Sequence, residues 1–466
     1  MAALGSVNFG FNIGVINVPG DVISGCVIGP QHYIGPFPSC IPTADALWGV
    51  AVGCFALGAL IGSIASNPIA DKYGRKFALT WGPLFSTIGA LLLSLSTTLT
   101  QFIFGRIFVG IAAGICNTAV SVYISEITTP SARTILGNSI QLATNLGILL
   151  SQSISLGLSR PPLWRVLFAL TGVIGIGTTV LFPTCVESPK WLVSRGQVGQ
   201  ARYALTKLRE GADVEAELAD IVDADMASKS GTGNVANANV FDVLLGRTPD
   251  NLRHQLMVVS MGMFSQQLSG INAVIFYSTT IFNRTTHDNP AAIPTMAQKL
   301  TYVIAVVAEV FTFVGMLLCM RFGRRTLMLA SSAAMAISSI LMAVGSIKGT
   351  DGLVIAMVFV FNISFNFGVG PLPWVAAAEM TPAYAMSAMS AIGGVICYAF
   401  TFTIGVFFPP MQVALGDYTF LFFAGFNIAT FVFCFFFWPE TKGRKVEDIA
   451  EVHSVGIHFV IRDHFK

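Results

Sequence analysis

The chain has 466 residues, 54% of them hydrophobic and only 11% charged, with a formal net charge of +2. A water-soluble domain carries about 25% charged residues, so this chain lacks the polar surface to solvate a globule of its size, and its solvent is mostly lipid. The near-neutral balance excludes the basic field that a nucleic-acid partner requires. The cysteines show no CxxC or CxxCH spacing, and the histidines fall at water-facing positions or, for His254, at a span edge. No metal and no other cofactor is expected.

A hydrocarbon core of about 30 Å takes about 20 apolar residues per helix. The first such run, 2–19, begins almost at Met1 without a charged leader or a small-residue cleavage site. It reads as a retained span behind a very short amino tail, not as a cleaved signal. Further runs at 46–66, 77–96, 101–123, 135–157 and 165–184 complete a first bundle over 1–184. Residues 185–251 carry an amphipathic piece, Ala201 to Val222, and a small polar stretch, Ser228 to Asn239, and so read as a linker with short surface helices. Runs at 252–282, 298–320, 326–347, 352–377, 386–409 and 416–438 make a second bundle over 252–438, followed by a tail at 439–466. The predicted fold class is an all-α polytopic membrane protein of twelve transmembrane helices, two six-helix pseudo-repeats.

With both termini on one side, twenty of the 26 Lys and Arg fall on that side, five on the other, and Arg106 inside a span. The positive-inside bias then puts both termini and the linker in the cytosol. The halves also repeat one another. Asp71-Lys-Tyr-Gly-Arg-Lys76 recurs as Met320-Arg-Phe-Gly-Arg-Arg325, Glu126 with Pro130 as Glu379 with Pro382, and Glu187-Ser-Pro-Lys190 as Glu440-Thr-Lys-Gly443, all at nearly one offset. Parallel six-helix repeats flanking a midplane site are the build of rocker-type transporters.

The strings Asp71-KYGRK, Tyr123-ISEI, Glu187-SPKWL, Gln266-QLSGINAVIFY, Gly370-PLPW and Pro439-ETKGR resemble, in order, the signature set of the sugar porter family of the major facilitator superfamily. The likeness runs from Phe9 to Arg444 and is nearest to glucose-transporter-like members. It implies a major facilitator fold and alternating-access carriage of a hexose, a small-molecule substrate moved through membrane lipid by a monomeric unit at the plasma membrane.

Gln266, Gln267 and Asn272 lie on an otherwise apolar span that Gly270 weakens, and broken spans at midplane are where substrate sites form. Buried amides need partners, and sugar hydroxyls both donate and accept. Amides gluing helices together are the plainer alternative. Gln141 matches the family's sugar-contacting glutamine. Trp374 follows Gly370-Pro-Leu-Pro373, where two prolines and a glycine make a hinge. The resemblance implies that Trp374 packs on the sugar and that Phe365, Phe276 and Tyr277 line the pocket and gate; interfacial anchoring or lipid contact is the plainer reading. It further implies inter-half salt bridges among Asp71, Arg75, Glu126, Arg133, Glu187, Arg324, Arg325, Glu379 and Glu440 that hold the inner gate shut in the outward-open state and separate in the inward-open one, each worth about 1 kcal/mol when exposed, so that two states stay close in energy.

The chain departs from the family at Asn67, Ser121, Met320, Met386, Ala308, Asn366 and Cys397. One departure bears on energy coupling. Proton-driven members carry an Asp in span 1 facing a span 4 arginine, positions matched here by Asn12 and Arg106. An amide cannot titrate, which favours facilitated diffusion. Glu309, an ionisable residue in mid-span 8, supports the alternatives of proton symport or of a neutral carboxyl bonded to the sugar. A membrane enzyme would need a convergent acid, base or nucleophile set that the spans do not show. A non-transporting sugar sensor would usually add a long signalling tail. In the loop after span 1, Cys26 and Cys40 are candidates for a disulfide, and Asn283-Arg-Thr285 is a candidate glycan site.

Overall fold

The computed structural model describes residues 3–29, 31–129, 133–209, 213–230, 240–248, 252–286, 294–382 and 385–442. All twelve expected spans are present. In the first half they are Leu4–Gly14 continued by turns to Pro19, Asp45–Tyr73, Arg75–Trp81 with Pro83–Ser94, Leu99–Ile127, Arg133–Leu158 and Trp164–Leu181. In the second they are Arg253–Leu268 with Ile271–Thr286, Met296–Arg321, Arg324–Ile347, Asp351–Phe367 with Leu372–Met380, Met386–Leu415 and Thr419–Phe437. They are called spans 1 to 12 in that order. Among the described residues eight stretches are long and apolar enough to cross a membrane, spans 11 and 12 counting as one; spans 1, 5 and 7 are not among them. Spans 1 and 7 are broken into shorter pieces.

Several helices outrun their apolar core. Span 2 continues to Tyr73 and span 4 to Ile127, because their last turns leave the hydrocarbon for a polar face where charged side chains are at no cost. The loop after span 1 opens with a short helix, Gly20–Ser24, and holds a two-residue hairpin, Tyr33–Ile34 against Phe37–Pro38. The linker contributes helices Pro189–Ser194, Val198–Leu208, Glu215–Ser230 and Val240–Leu244. Leu192, Val193, Ala201, Leu205 and Leu218 give it a small core of its own.

In lipid there is no hydrophobic drive between helices, so close backbone approach has to supply the attraction. Spans 2 and 4 meet through Gly58 and Gly62 on one helix and Gly110 and Gly114 on the other. A methyl group added at Gly58 would stand 2.2 Å from the Ile107 carbonyl oxygen. Across the halves, Gly53 of span 2 sits against Val406 and Phe402 of span 11, and span 5 lies along span 8. These two seams bring the midplane residues of the two halves together.

Candidate functional site

Span 7 is interrupted where the sequence suggested. Gly270 takes φ +98°, a conformation that L side chains rarely adopt, and the two pieces of the span end and begin there. Around this break the three amides form one buried cluster. Gln266 donates to the main-chain oxygen of Gly370 in the kink of span 10, and Asn272 donates to the Gln267 side-chain oxygen. Gln267 donates to Gln266 Oε1 at 2.8 Å and approaches Cys397 Sγ of span 11 at 3.1 Å. Thr401 of span 11 donates to Gln267 Oε1 at 2.9 Å. The amides therefore satisfy one another, as buried polar groups must.

Gln141 is half-buried in span 5 and belongs to a second cluster, which crosses between the halves. It donates to Asn145 Oδ1 at 3.2 Å. Asn145 donates to Thr312 Oγ1 of span 8 at 2.6 Å and to Asn366 Oδ1 of span 10 at 3.3 Å. Thr312 and Asn366 are themselves 2.9 Å apart, and Asn366 donates back to Asn362.

The aromatic residues divide. Phe276 and Tyr277 are both buried, with Tyr277 donating to the Gly405 carbonyl at 2.7 Å and stacking on Phe408. Phe365 is buried against Gly370, whose N–H it accepts on its own carbonyl. Trp374 is half-buried just beyond the kink, on Leu372–Met380. Glu309 is half-buried in span 8, three residues before Thr312, and its Oε2 is buried without a partner.

Asn12 and Arg106 do meet, but through the backbone. Arg106, fully buried, donates from Nη1 to the Asn12 main-chain oxygen at 3.0 Å and lies over the Phe55 ring. The Asn12 carboxamide instead donates to Asn8, at 2.8 Å to its main-chain oxygen and 2.7 Å to Oδ1.

On the linker face the charged residues form two homologous clusters. Arg75 grips Glu126 with two hydrogen bonds of 2.9 Å and Asp71 with another of 2.9 Å. Arg324 grips Glu379 at 2.8 Å and 3.3 Å. Glu187 accepts the main-chain N–H groups of Arg75 and Lys76 that open span 3, and Glu440 accepts those of Arg324 and Arg325 that open span 9. Each acid caps a helix N-terminus, where the dipole favours negative charge. Burial pushes the Glu187 carboxyl above its ordinary range, against the pull of the N–H donors and of Arg75. Arg75 pairs within the first half and Arg324 within the second. The reason is geometric, since the acids ending spans 4 and 10 stand beside the arginines opening spans 3 and 9 of the same bundle. The Arg133 side chain lies outside the described residues.

On the opposite face the halves are fastened together. Asn17 donates to the Ile275 carbonyl and to Ser278 Oγ, both at 2.7 Å, and accepts the Thr279 N–H at 3.2 Å. Asp21, in the helix that opens the outer loop, accepts from Thr280 at 3.0 Å and from Asn283 at 2.6 Å. Asn283, the sequon residue, is thus half-buried with its amide engaged. Burial raises the Asp21 pKa, opposed by the Thr280 and Asn283 donors; Asp45 raises it further and Arg284 lowers it. Cys26 and Cys40 are joined in a disulfide, with Cα atoms 5.5 Å apart.

Sequence reasoning missed Asn145, Thr312, Asn362 and Thr401, and also Asn17 and Asp21. A signal existed for half of them. Asn145 stands four residues after Gln141, Asn362 four before Asn366 and Thr401 four after Cys397, so each shares a helix face with a residue already singled out. Nothing local marks Thr312, Asn17 or Asp21.

The chain resembles known proteins over nearly its full length. Residues 1–453 match the family model described as sugar (and other) transporter. The chain is 34% identical over 464 residues to solute carrier family 2, facilitated glucose transporter member 4, of Mus musculus, covering 96% of this chain and 88% of that protein. It is 32% identical over 469 residues to member 3 of Homo sapiens, covering 98% and 92%. Among solved structures, the proton:xylose symporter XylE of the major facilitator superfamily, bound to 6-bromo-6-deoxy-D-glucose, superposes with a TM-score of 0.76 at 21% identity, covering 97% of each chain. An inward-open form of the E. coli xylose transporter XylE superposes at 0.75 with 20% identity, covering 97% and 98%. At that identity the likeness establishes the fold, two bundles of six helices, and the family match establishes the rest: this chain is a member of the sugar transporter family.

Proposed function

We propose that this carrier moves a hexose by facilitated diffusion, its two bundles rocking about a site at the middle of the membrane. Gln266, Gln267 and Asn272 of span 7 and Gln141 of span 5 bind the sugar's hydroxyls. Trp374 packs on the pyranose face, and Phe365, Phe276 and Tyr277 bound the pocket. The facilitated glucose transporters named above support glucose-like substrates. The cation bias supports cytosolic termini, and the reading places the carrier in the plasma membrane as a single subunit surrounded by lipid.

The observation that carries the uncoupled reading is the Asn12–Arg106 contact. The proton-driven members that the chain resembles carry at this position a group that gains and loses a proton during the cycle. Here the arginine is held by a main-chain oxygen, which has no second protonation state. Uptake of radiolabelled hexose into liposomes holding the pure protein tests this: the reading requires flux that stops at equal concentrations.

Glu309 supports a second reading, proton symport. Its buried, unpartnered Oε2 is the kind of group that exchanges a proton as it moves between environments. Glu309→Gln separates the two: a symporter loses gradient-driven uptake, whereas a uniporter keeps its equilibrating flux.

A further inference from the structure

The cluster around Gln141 has a direction, and that direction is set by a group that cannot be reversed. A main-chain carbonyl oxygen only accepts. Asn366 places its Nδ2 at 2.8 Å from the Asn362 carbonyl, so its Oδ1 must face the other way, toward Thr312 and Asn145. Asn145 must then present Nδ2 to Asn366 and Thr312, which turns its own Oδ1 toward Gln141. Gln141 answers with Nε2. Its remaining polar atom, the amide oxygen, has no hydrogen-bond partner among the described residues.

We propose that Asn145 is a specificity-determining positioning residue: through Thr312 and Asn366 it fixes the amide orientation of Gln141, so that this corner of the site offers an acceptor and takes a sugar hydroxyl as donor. The inference rests on the reading of Gln141 as a sugar contact. It goes further in saying which way round that contact runs and what sets it. An unanchored glutamine amide turns over to suit either a donor or an acceptor. An anchored one discriminates, because a ligand atom that cannot donate covers the acceptor and leaves it unpaired. The anchor spans both halves, so Gln141 of the first bundle takes its orientation from spans 8 and 10 of the second.

The test is a series of monodeoxyfluoro hexoses, in which fluorine replaces one hydroxyl at a time and can accept but not donate, each measured as an inhibitor of hexose uptake in liposomes. In the unmodified protein one ring position should show about a tenfold weakening when fluorine replaces the hydroxyl, the equivalent of about 1.4 kcal/mol. Asn145→Val removes the acceptor that holds the Gln141 amide and frees it to turn, so the ratio at that position should fall to about twofold or less. Asn145→Asp still accepts from Gln141 Nε2 and should keep the ratio. Persistence of the full ratio in Asn145→Val, or its loss in Asn145→Asp as well, would overturn the proposal, because a merely structural role for Asn145 would not separate the two variants. Gln141→Ala is the control: it should abolish the ratio, and if it does not, the reading of Gln141 as a sugar contact fails and the proposal fails with it.

Discussion

Arg106 donates its Nη1 proton to the main-chain oxygen of Asn12 at 3.0 Å, while the Asn12 side chain turns away to Asn8. The arginine is therefore tied to span 1 by a group that no pH change alters. Placing a carboxylate beside it supplies what the arrangement lacks. Asn12→Asp is expected to make uptake depend on a proton gradient, with accumulation abolished by collapsing that gradient. Equilibrating flux in the variant would show that Arg106 and residue 12 do not form the coupling pair.

The span 7 amides are expected to carry a large share of sugar affinity. Gln267→Ala removes an acceptor used by both Asn272 and Thr401, and Asn272→Ala removes the donor. A lost hydrogen bond to a buried partner costs about 1–3 kcal/mol. Each variant should therefore weaken hexose transport at least about tenfold, read as the concentration for half-maximal uptake with protein abundance in the membrane unchanged. Unaltered kinetics in both would remove the site from this helix.

Much of this was legible in the chain. Hydropathy gave twelve spans because a helix in lipid must satisfy its own backbone, and the paired motifs gave the two halves. Gly270 revealed the break in span 7, since its flexibility weakens a helix whatever surrounds it. What the sequence hid is long-range pairing. The acids and arginines of the linker face can be read on the chain, but not which of them meet: Arg75 pairs with Glu126 and Arg324 with Glu379, each within its own bundle. Asn145 shares a face of span 5 with Gln141, but its contacts with Thr312 and Asn366 of the other half are not written in the chain.

Acidification is expected to hold the disulfide face shut. Asp21 is buried when it accepts from Thr280 and Asn283, and burial raises its pKa above the ordinary 3.8. Opening that face would hydrate Asp21 and return it toward the ordinary value. The fastened form thus holds the proton more tightly. Its advantage is fully present below the ordinary value and is lost as pH rises through the raised one. The measurement is the labelling rate of a single cysteine, Thr279→Cys, by an impermeant reagent: it should fall as external pH falls, and Asp21→Asn should remove that dependence. The same slope in both proteins would exclude Asp21 as its origin.

The two linker-face clusters should respond unequally to mutation. Arg75 has both Glu126 and Asp71, whereas the position equivalent to Asp71 in the second half is Met320. Among the described residues Glu379→Gln therefore removes the acid that ion-pairs with the Arg324 guanidinium, leaving Glu440 on its main-chain N–H, while Glu126→Gln leaves Arg75 paired with Asp71. Losing one partner of a part-buried pair costs about 1–3 kcal/mol, and the larger fall in melting temperature is expected for Glu379→Gln. Equal falls would mean that Asp71, which is well exposed, contributes nothing to the first cluster.

The central claim is that sugar alone drives the transport of sugar, and one measurement addresses it directly. The purified protein is placed in liposomes with equal hexose on both sides, and a pH difference of one unit is imposed. A carrier moving one proton per sugar would use about 1.4 kcal/mol from that gradient, enough for roughly tenfold accumulation. The arrangement of Asn12 and Arg106 leads to no accumulation and no change in lumenal pH during uptake. Accumulation toward the tenfold limit, lost in Glu309→Gln, would contradict this and move coupling to span 8.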